Sequence, residues 1–297
     1  MTPHLNVATI AFEHRSPPVP LTPARLADFA VTALVDEAKL TPKPGLVDQR
    51  GGGAHRDLDL AAMLRSAESL RASFATMARI ARSGASDAAL RERLAFVGRH
   101  GEQEMLAATG GSNAHRGSIW ALGLLIAGAA IDGSGEASAI AARAAAIARH
   151  PDRFAPNPDS NGARASARYG VSGARGEAIA GFPHAVRIGL PVLRSGRLNG
   201  LTEDEARIDA LIAVMASLDD TCLLHRGGRT ALDAGKTGAR NVIAAGGFGS
   251  NDGRSAFAIL ERRMLDLGVS PGGSADALAA TLFLDRVERA YAARSRS

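Results

Sequence analysis

The stretch LAAMLRSAESLRASFATMARI, residues 60–80, carries apolar side chains at Leu60, Met63, Leu64, Ala67, Leu70, Phe74, Met77 and Ile80. Steps of three and four residues line them up on one face of an α-helix. The pattern continues on both sides. Upstream, Thr22 stands where a helix cap belongs and Pro23 at the first helical position; the helix they open runs to about Leu40, because Pro42 and Pro44 forbid continuation. Downstream, Ser86 or Asp87 starts a helix through Leu90, Leu94, Val97 and Met105 that ends at Gly110-Gly111. His115 to Ile131 is apolar on nearly all sides, as a helix buried at the centre of a bundle would be. An alanine-rich run, Ala137 to His150, follows and stops at Pro151. Further helices are expected over about 161–180, 182–195, 202–218, 228–245, 253–267 and 271–292, the last capped by Ser270 or Ser274.

β-branched residues do not cluster and no period-two alternation persists, so the fold class is all-α, a single compact multi-helix domain over residues 23–293. Residues 1–22 hold Pro3, Pro17, Pro18 and Pro20 without periodicity and are expected to form a flexible arm. Aromatic residues are only 4% of the chain, so Ala, Leu, Ile and Val must build the core. The 35 Lys and Arg against 30 Asp and Glu give +5, dispersed and without interleaved aromatics. That argues against a nucleic-acid platform and suits a polyanionic small molecule. Cys222 is the sole cysteine, which rules out an internal disulfide and a Cys-rich zinc site. No signal-like segment opens the sequence, and the uncharged run from Gly117 to Ile131 is shorter than the roughly 20 residues of a membrane span. A cytoplasmic protein that engages no membrane is the expectation.

Common nucleotide signatures are absent. Gly235-Lys236-Thr237 resembles the end of a P-loop, but Thr230 occupies the position of its first glycine. Gly51-Gly52-Gly53 fails the dinucleotide fingerprint at Arg56.

Polar residues gather instead in four glycine-rich loops at helix ends. In the first, Lys43 and Gly51-Gly52-Gly53 precede His55, Asp57 and Asp59, which alternate toward one side of an extended segment. Asp57 and Asp59 suit Mg²⁺, or they favour the N-terminus of the next helix. In the second, Asn113, His115 and Arg116 open the most apolar helix, as a phosphate cradle or as simple capping. The third runs from Tyr169 through Arg175, a planar fork for phosphate, to Glu177, a metal ligand, a proton acceptor or the partner of a surface ion pair. The fourth places Asp219-Asp220 before Cys222 and Arg226; adjacent acids require a cation or nearby donors, which metal coordination and helix capping both supply.

In this order the loops resemble the triphosphoribosyl-dephospho-CoA synthase family. The matching stretches are LTPKPGLVD with GAHRDLD, NAHRG, YGVSGARGEA with GFP, DDTCLLHRGG and SPGGSADALAATLFLDR, and the resemblance covers the chain from about residue 33 to 287. EMLAATGGSNAHRGSIWALGLL is nearer the malonate decarboxylase branch than the citrate lyase branch. The resemblance implies a glycine-lined central nucleotide pocket where the ribose 2′-hydroxyl of 3′-dephospho-CoA displaces adenine from ATP. A separate phosphoribosyl-dephospho-CoA transferase then attaches the product to an acyl carrier subunit.

That chemistry gives Asp57, Asp59, Glu177 and Asp219 catalytic roles, with the base unassigned among the acids. His55, His115 and His225 are proton shuttles. Mg²⁺ would sit among Asp57, Asp59, Asp219 and Asp220. Lys43, Arg116, Arg175 and Arg226 would clamp the triphosphate, with His55, Asn113, His115 and Tyr169 completing substrate binding. Two departures stand out: Asn161 where many relatives carry His, and Ala114 where Thr is commoner. The rival readings are a metal-dependent N-ribosyl hydrolase and a non-catalytic module binding nucleotide or carrier protein. Oligomeric state, a homodimer included, stays open.

Overall fold

Thr22 caps the first helix as expected, its hydroxyl accepting from the Arg25 N–H at 3.2 Å. A computed structural model describes residues 20–155 and 160–294. Residues 1–19 of the expected arm lie outside them. Its last residues do not behave as an arm: Leu21 is buried, donates its N–H to the Tyr291 hydroxyl at 3.3 Å and accepts from Arg82 at 2.6 Å.

The chain runs through α1 (Pro23–Lys39), α2 (Leu60–Ser69), α3 (Arg71–Ala81), α4 (Ala88–Ala108), α5 (Arg116–Asp132) and α6 (Ala137–Arg149). After the undescribed residues follow α7 (Asn161–Tyr169) and α8 (Gly173–Ile179), then a π-helical turn, His184–Gly189, leading into α9 (Leu190–Leu198). The rest is α10 (Glu203–Met215), α11 (Thr221–Ala244), α12 (Asn251–Asp266) and α13 (Gly272–Arg294). Among the described residues the only extended pairing is an isolated bridge between Asp48 and Gly51. The all-α expectation holds.

Three boundaries differ from the sequence reading. The 60–80 stripe is two helices, broken at Leu70; the Ser69 hydroxyl takes the Ser66 carbonyl at 2.8 Å and weakens the turn there. Gly170, at φ 69°, ends α7 and divides the expected 161–180 helix. The helix expected from 228 begins at Thr221 and kinks at Gly228, whose φ of 65° only glycine adopts readily.

α5 is the centre. It packs against α1, α3, α4, α6, α8 and α13, and its residues from Ser118 to Ala129 are buried except Trp120. An apolar helix with neighbours on every side has no solvent face, which explains its sequence. Among the described residues no single helix is long and apolar enough to cross a membrane. α13 packs against both α5 and α11, and its first turns touch the N-termini of both, Asp276 at Ser118 and Gly273-Ser274 at Asp220.

Candidate active site

Asp220 is the pin of this junction. It caps α11, its Oδ1 accepting from Cys222 N at 2.8 Å and Leu223 N at 3.4 Å. The same carboxylate accepts from Gly273 N at 3.2 Å, and from Ser274 N and Oγ at 2.8 and 2.9 Å. The first turn of α13 is therefore capped by the N-cap residue of α11, not by Ser270 or Ser274 as expected. Gly272-Gly273 makes the approach possible: a Cβ at Gly272 would lie 2.8 Å from Cys222 Sγ, and one at Gly273 would lie 3.1 Å from the Asp220 carboxylate. Burial pushes the Asp220 pKa up against these bonds. With its lone pairs engaged, Asp220 serves as a double cap, and the capping alternative replaces the metal one. Burial, with the charges of Asp220 and Asp276, pushes the Cys222 thiol up, so it stays protonated and packed.

One turn into α13, Asp276 faces the start of α5. Its carboxylate accepts a hydrogen bond from the Ser118 hydroxyl. A Cβ on Gly117 would fall 1.9 Å from its Oδ2, so only glycine at 117 leaves room for it. Burial, reinforced by the charges of Asp220 and Glu37, raises the Asp276 pKa to about 7. Part of Asp276 remains open to solvent. A half-ionised, reachable carboxyl beside a helix N-terminus is suited to proton transfer near neutral pH.

The first loop closes over this junction. His55 Nε2 meets Ser270 Oγ at 2.9 Å, while Arg226 donates to His55 Nδ1 at 3.3 Å. Arginine can only donate, so Nδ1 accepts and Nε2 carries the proton. Burial and the Arg226 charge lower the His55 pKa, partly offset by Asp57, whose carboxylate lies 3.7 Å away. The imidazole is neutral at pH 7. The third loop arrives from the other side. Arg229 donates to the Tyr169 carbonyl at 3.0 Å and lies over its ring, and a Cβ at Gly173 would sit 3.4 Å from Thr221 Cγ2.

Several expected roles give way to internal partnerships. Lys43 is buried, its ammonium donating to the Glu37 carboxylate and carbonyl, both at 2.6 Å, so the structure makes it half of a core ion pair and not a phosphate clamp. Asp59 caps α2, accepting from Ala62 N at 2.7 Å. Asp219 is exposed and bonded to Lys236 at 2.5 Å. Glu177 grips His184 through its backbone N–H and Nδ1, at 2.8 and 2.7 Å. Asn113 accepts from Arg116 N at 3.1 Å, as a cap does, and the Arg116 side chain pairs with Glu102. His115 is buried, bonded to Ser66 Oγ at 2.6 Å, and its pKa falls to about 3 through burial and then the charge of Lys43. It is a neutral structural imidazole. His225 is exposed. Arg175 is exposed on α8, within electrostatic reach of Arg91.

The junction thus brings together His55, Asp57, Tyr169, Asp220 and Arg226, and leaves Asp219, Glu177 and Arg175 bonded or placed elsewhere. The four acids expected to hold Mg²⁺ do not converge, and among the described residues no three His, Cys, Asp or Glu side chains form a metal-binding group.

Sequence reasoning passed over Asp276 and Glu37. An acid near the start of a helix reads as a dipole partner, which hides Asp276. Glu37 carried a usable signal: it falls on the Ala30, Ala33, Leu34 face of α1, where a charge on an apolar stripe demands a buried partner.

A family model described as ATP:dephospho-CoA triphosphoribosyl transferase (CitG) matches residues 23–295. The chain is 55% identical over 263 residues to the 2-(5''-triphosphoribosyl)-3'-dephosphocoenzyme-A synthase of Klebsiella pneumoniae, covering 88% of this chain and 94% of the relative. It is 56% identical over 276 residues to the "Probable 2-(5''-triphosphoribosyl)-3'-dephosphocoenzyme-A synthase" of Stutzerimonas stutzeri strain A1501, covering 92% and 95%. A protein of that same name from Azotobacter vinelandii strain DJ is 54% identical, with 91% and 94% covered. No solved structure matches the chain significantly.

Proposed function

The chain belongs to the ATP:dephospho-CoA triphosphoribosyl transferase family, and from that premise we propose that Asp276 is the carboxylate at which its reaction begins. The protein is a triphosphoribosyl-dephospho-CoA synthase, a transferase acting on ATP and 3′-dephospho-CoA. The 2′-hydroxyl oxygen of dephospho-CoA bonds to C1 of the ATP ribose. The C1–N9 bond breaks and its electron pair leaves with adenine, while the triphosphate stays on C5. One proton leaves the hydroxyl and one arrives on the purine, so the reaction is balanced without a further reactant.

Asp276 takes the hydroxyl proton. The observation that carries this role is its carboxyl, reachable, with a pKa near 7 and one side-chain hydrogen bond, from Ser118. Of the other acids, Asp220 is bonded to two helix ends, Asp59 to the start of α2, Asp219 to Lys236 and Glu177 to His184, while Asp57 stays exposed beside His55. The carboxylates of Asp220 and Glu37, within electrostatic reach of Asp276, favour positive charge developing on the sugar. Arg226, exposed and held against His55, is a cation at this junction that offers donors to a phosphate oxygen.

Mg²⁺ enters the proposal as the counter-ion of the triphosphate. Among the described residues no cage made wholly of protein ligands is present. One or two carboxylates completed by phosphate oxygens do fit, in the manner usual for this ion, and exposed Asp57 beside His55 and Arg226 is the acid to supply one. When bound, the ion neutralises triphosphate charge. The EMLAATGGSNAHRGSIWALGLL segment supports placing the product in the malonate decarboxylase branch. There a phosphoribosyl-dephospho-CoA transferase in the cytoplasm would load it onto an acyl carrier subunit.

The test incubates purified protein with ATP, Mg²⁺ and dephospho-CoA, and follows free adenine and the mass of the CoA product. Adenine appears in step with coupled product, and CoA bearing a 3′-phosphate is the poorer acceptor. Adenine with free triphosphoribose would mean a hydrolase; no adenine from folded protein would end the proposal.

A further inference from the structure

Another face of α5 borders a cavity that this reaction scheme leaves unused. It has a volume of about 220 Å³, lies among α3, α4 and α5, and has an apolar floor that includes Met77 and Leu94. Arg91, Arg99 and Arg116 reach it. Two of them are satisfied: Arg99 donates to Asp152 at 2.7 Å and Arg116 pairs with Glu102. Arg91 is not. Its guanidinium lies 4.7 Å above the centre of the Trp120 ring, and its buried Nε finds no acceptor. Burial depresses its pKa; Asp152 opposes this, and the like charges of Arg175 and Arg99 add to it. A desolvated cation with a free N–H is an unfavourable state that an entering anion relieves. The lining holds three guanidinium groups against two carboxylates, Asp152 and Glu102, and Arg175 adds a further positive field.

We infer that this cavity is an oxyanion subsite that takes a phosphoryl or diphosphoryl group of one of the two nucleotide substrates, with Arg91 as its principal donor. The inference rests on the transferase reading, in which both substrates carry a phosphate chain. Size agrees: pockets enclosing a whole ligand run to about 300–1,000 Å³, so this one admits part of a nucleotide. The site is also linked to the junction. Trp120 Nε1 donates to the Ala174 carbonyl at 3.1 Å, pinning the ring to the start of α8 beside Arg175. The preceding residue, Gly173, abuts Thr221 in the first turn of α11. The cavity thus lies a short run of contacts from the helix whose N-cap is Asp220.

Trp120 is the sole tryptophan, so its fluorescence reports this cavity alone. Inorganic pyrophosphate, titrated without nucleotide at constant ionic strength, gives a saturable change in emission. Arg91→Gln weakens the apparent affinity about tenfold or more, the loss expected for a charged hydrogen bond, and Arg91→Lys falls between. In steady-state kinetics Arg91→Gln raises KM for one substrate by a similar factor and moves kcat and the other KM by less than about twofold. A rise for ATP identifies the triphosphate as the occupant; a rise for dephospho-CoA identifies its diphosphate. Wild-type emission indifferent to pyrophosphate, an Arg91→Gln titration like wild type, or two KM values that move together would overturn the inference. Normal adenine release in the same preparation would show that the transferase reading survives its loss.

Discussion

Replacing Asp276 by Asn separates chemistry from stability, because the two should move in opposite directions. The carboxyl's pKa stands at about 7 against an ordinary 3.8, chiefly through burial. If its ionised form is the base, about a tenth is active at pH 6, half at pH 7 and nine-tenths at pH 8, so kcat/KM rises about tenfold from pH 6 to pH 8. Asp276→Asn removes the base, lowers kcat by about 10²- to 10⁴-fold and abolishes that acid limb. Stability runs the other way. A raised folded-state pKa means that the protonated carboxyl contributes its full stability below pH 3.8, and that this contribution is lost as pH climbs through 7. The shift sets a ceiling of about 4 kcal/mol on the penalty of ionised Asp276 at pH 8. Because the side chain is partly open to solvent, screening reduces the expected gain from Asn to about 1–2 kcal/mol. Adenine release across pH 5.5–8.5 and urea unfolding at pH 5 and pH 8 are the assays. A variant with activity within tenfold of wild type, or a wild-type profile flat from pH 6 to 8, would refute the assignment of the base.

Gly117→Ala places a methyl 1.9 Å from Asp276 Oδ2 and must push the carboxylate aside. Adenine release should fall at least about tenfold while urea stability changes by no more than about 1 kcal/mol, since alanine is the better helix former; unaltered activity would mean the carboxylate can lie elsewhere. Asp220→Ala strips the caps from α11 and α13 together, which at about 1 kcal/mol each, plus unpaired buried N–H groups, predicts a loss of about 2–4 kcal/mol in denaturant unfolding. A loss below 1 kcal/mol would show that the two helix ends find other acceptors.

The sequence by itself determined the helices. Their apolar spacing, Thr22 and Asp87 as caps, and Gly110 as a stop are local, because caps and turns act within four residues. α5 announced its central position by having no polar face. The ordered loop motifs were legible too, and with them the family. What the sequence left open was which charges meet. Lys43 looked like a free cation, and only packing made it half of a buried ion pair; Asp59 and Asp220 offered a metal or a helix end, and the structure makes the first a cap of one helix and the second a cap of two. Asp276 differs from any acid near a helix start only because Gly117 of another helix makes room for it and burial shifts its proton affinity. The Asp276 contact joins residues 158 positions apart and the second cap of Asp220 residues 54 apart, which no local pattern encodes; tertiary structure alone brings these groups within a few ångströms and removes the water between them.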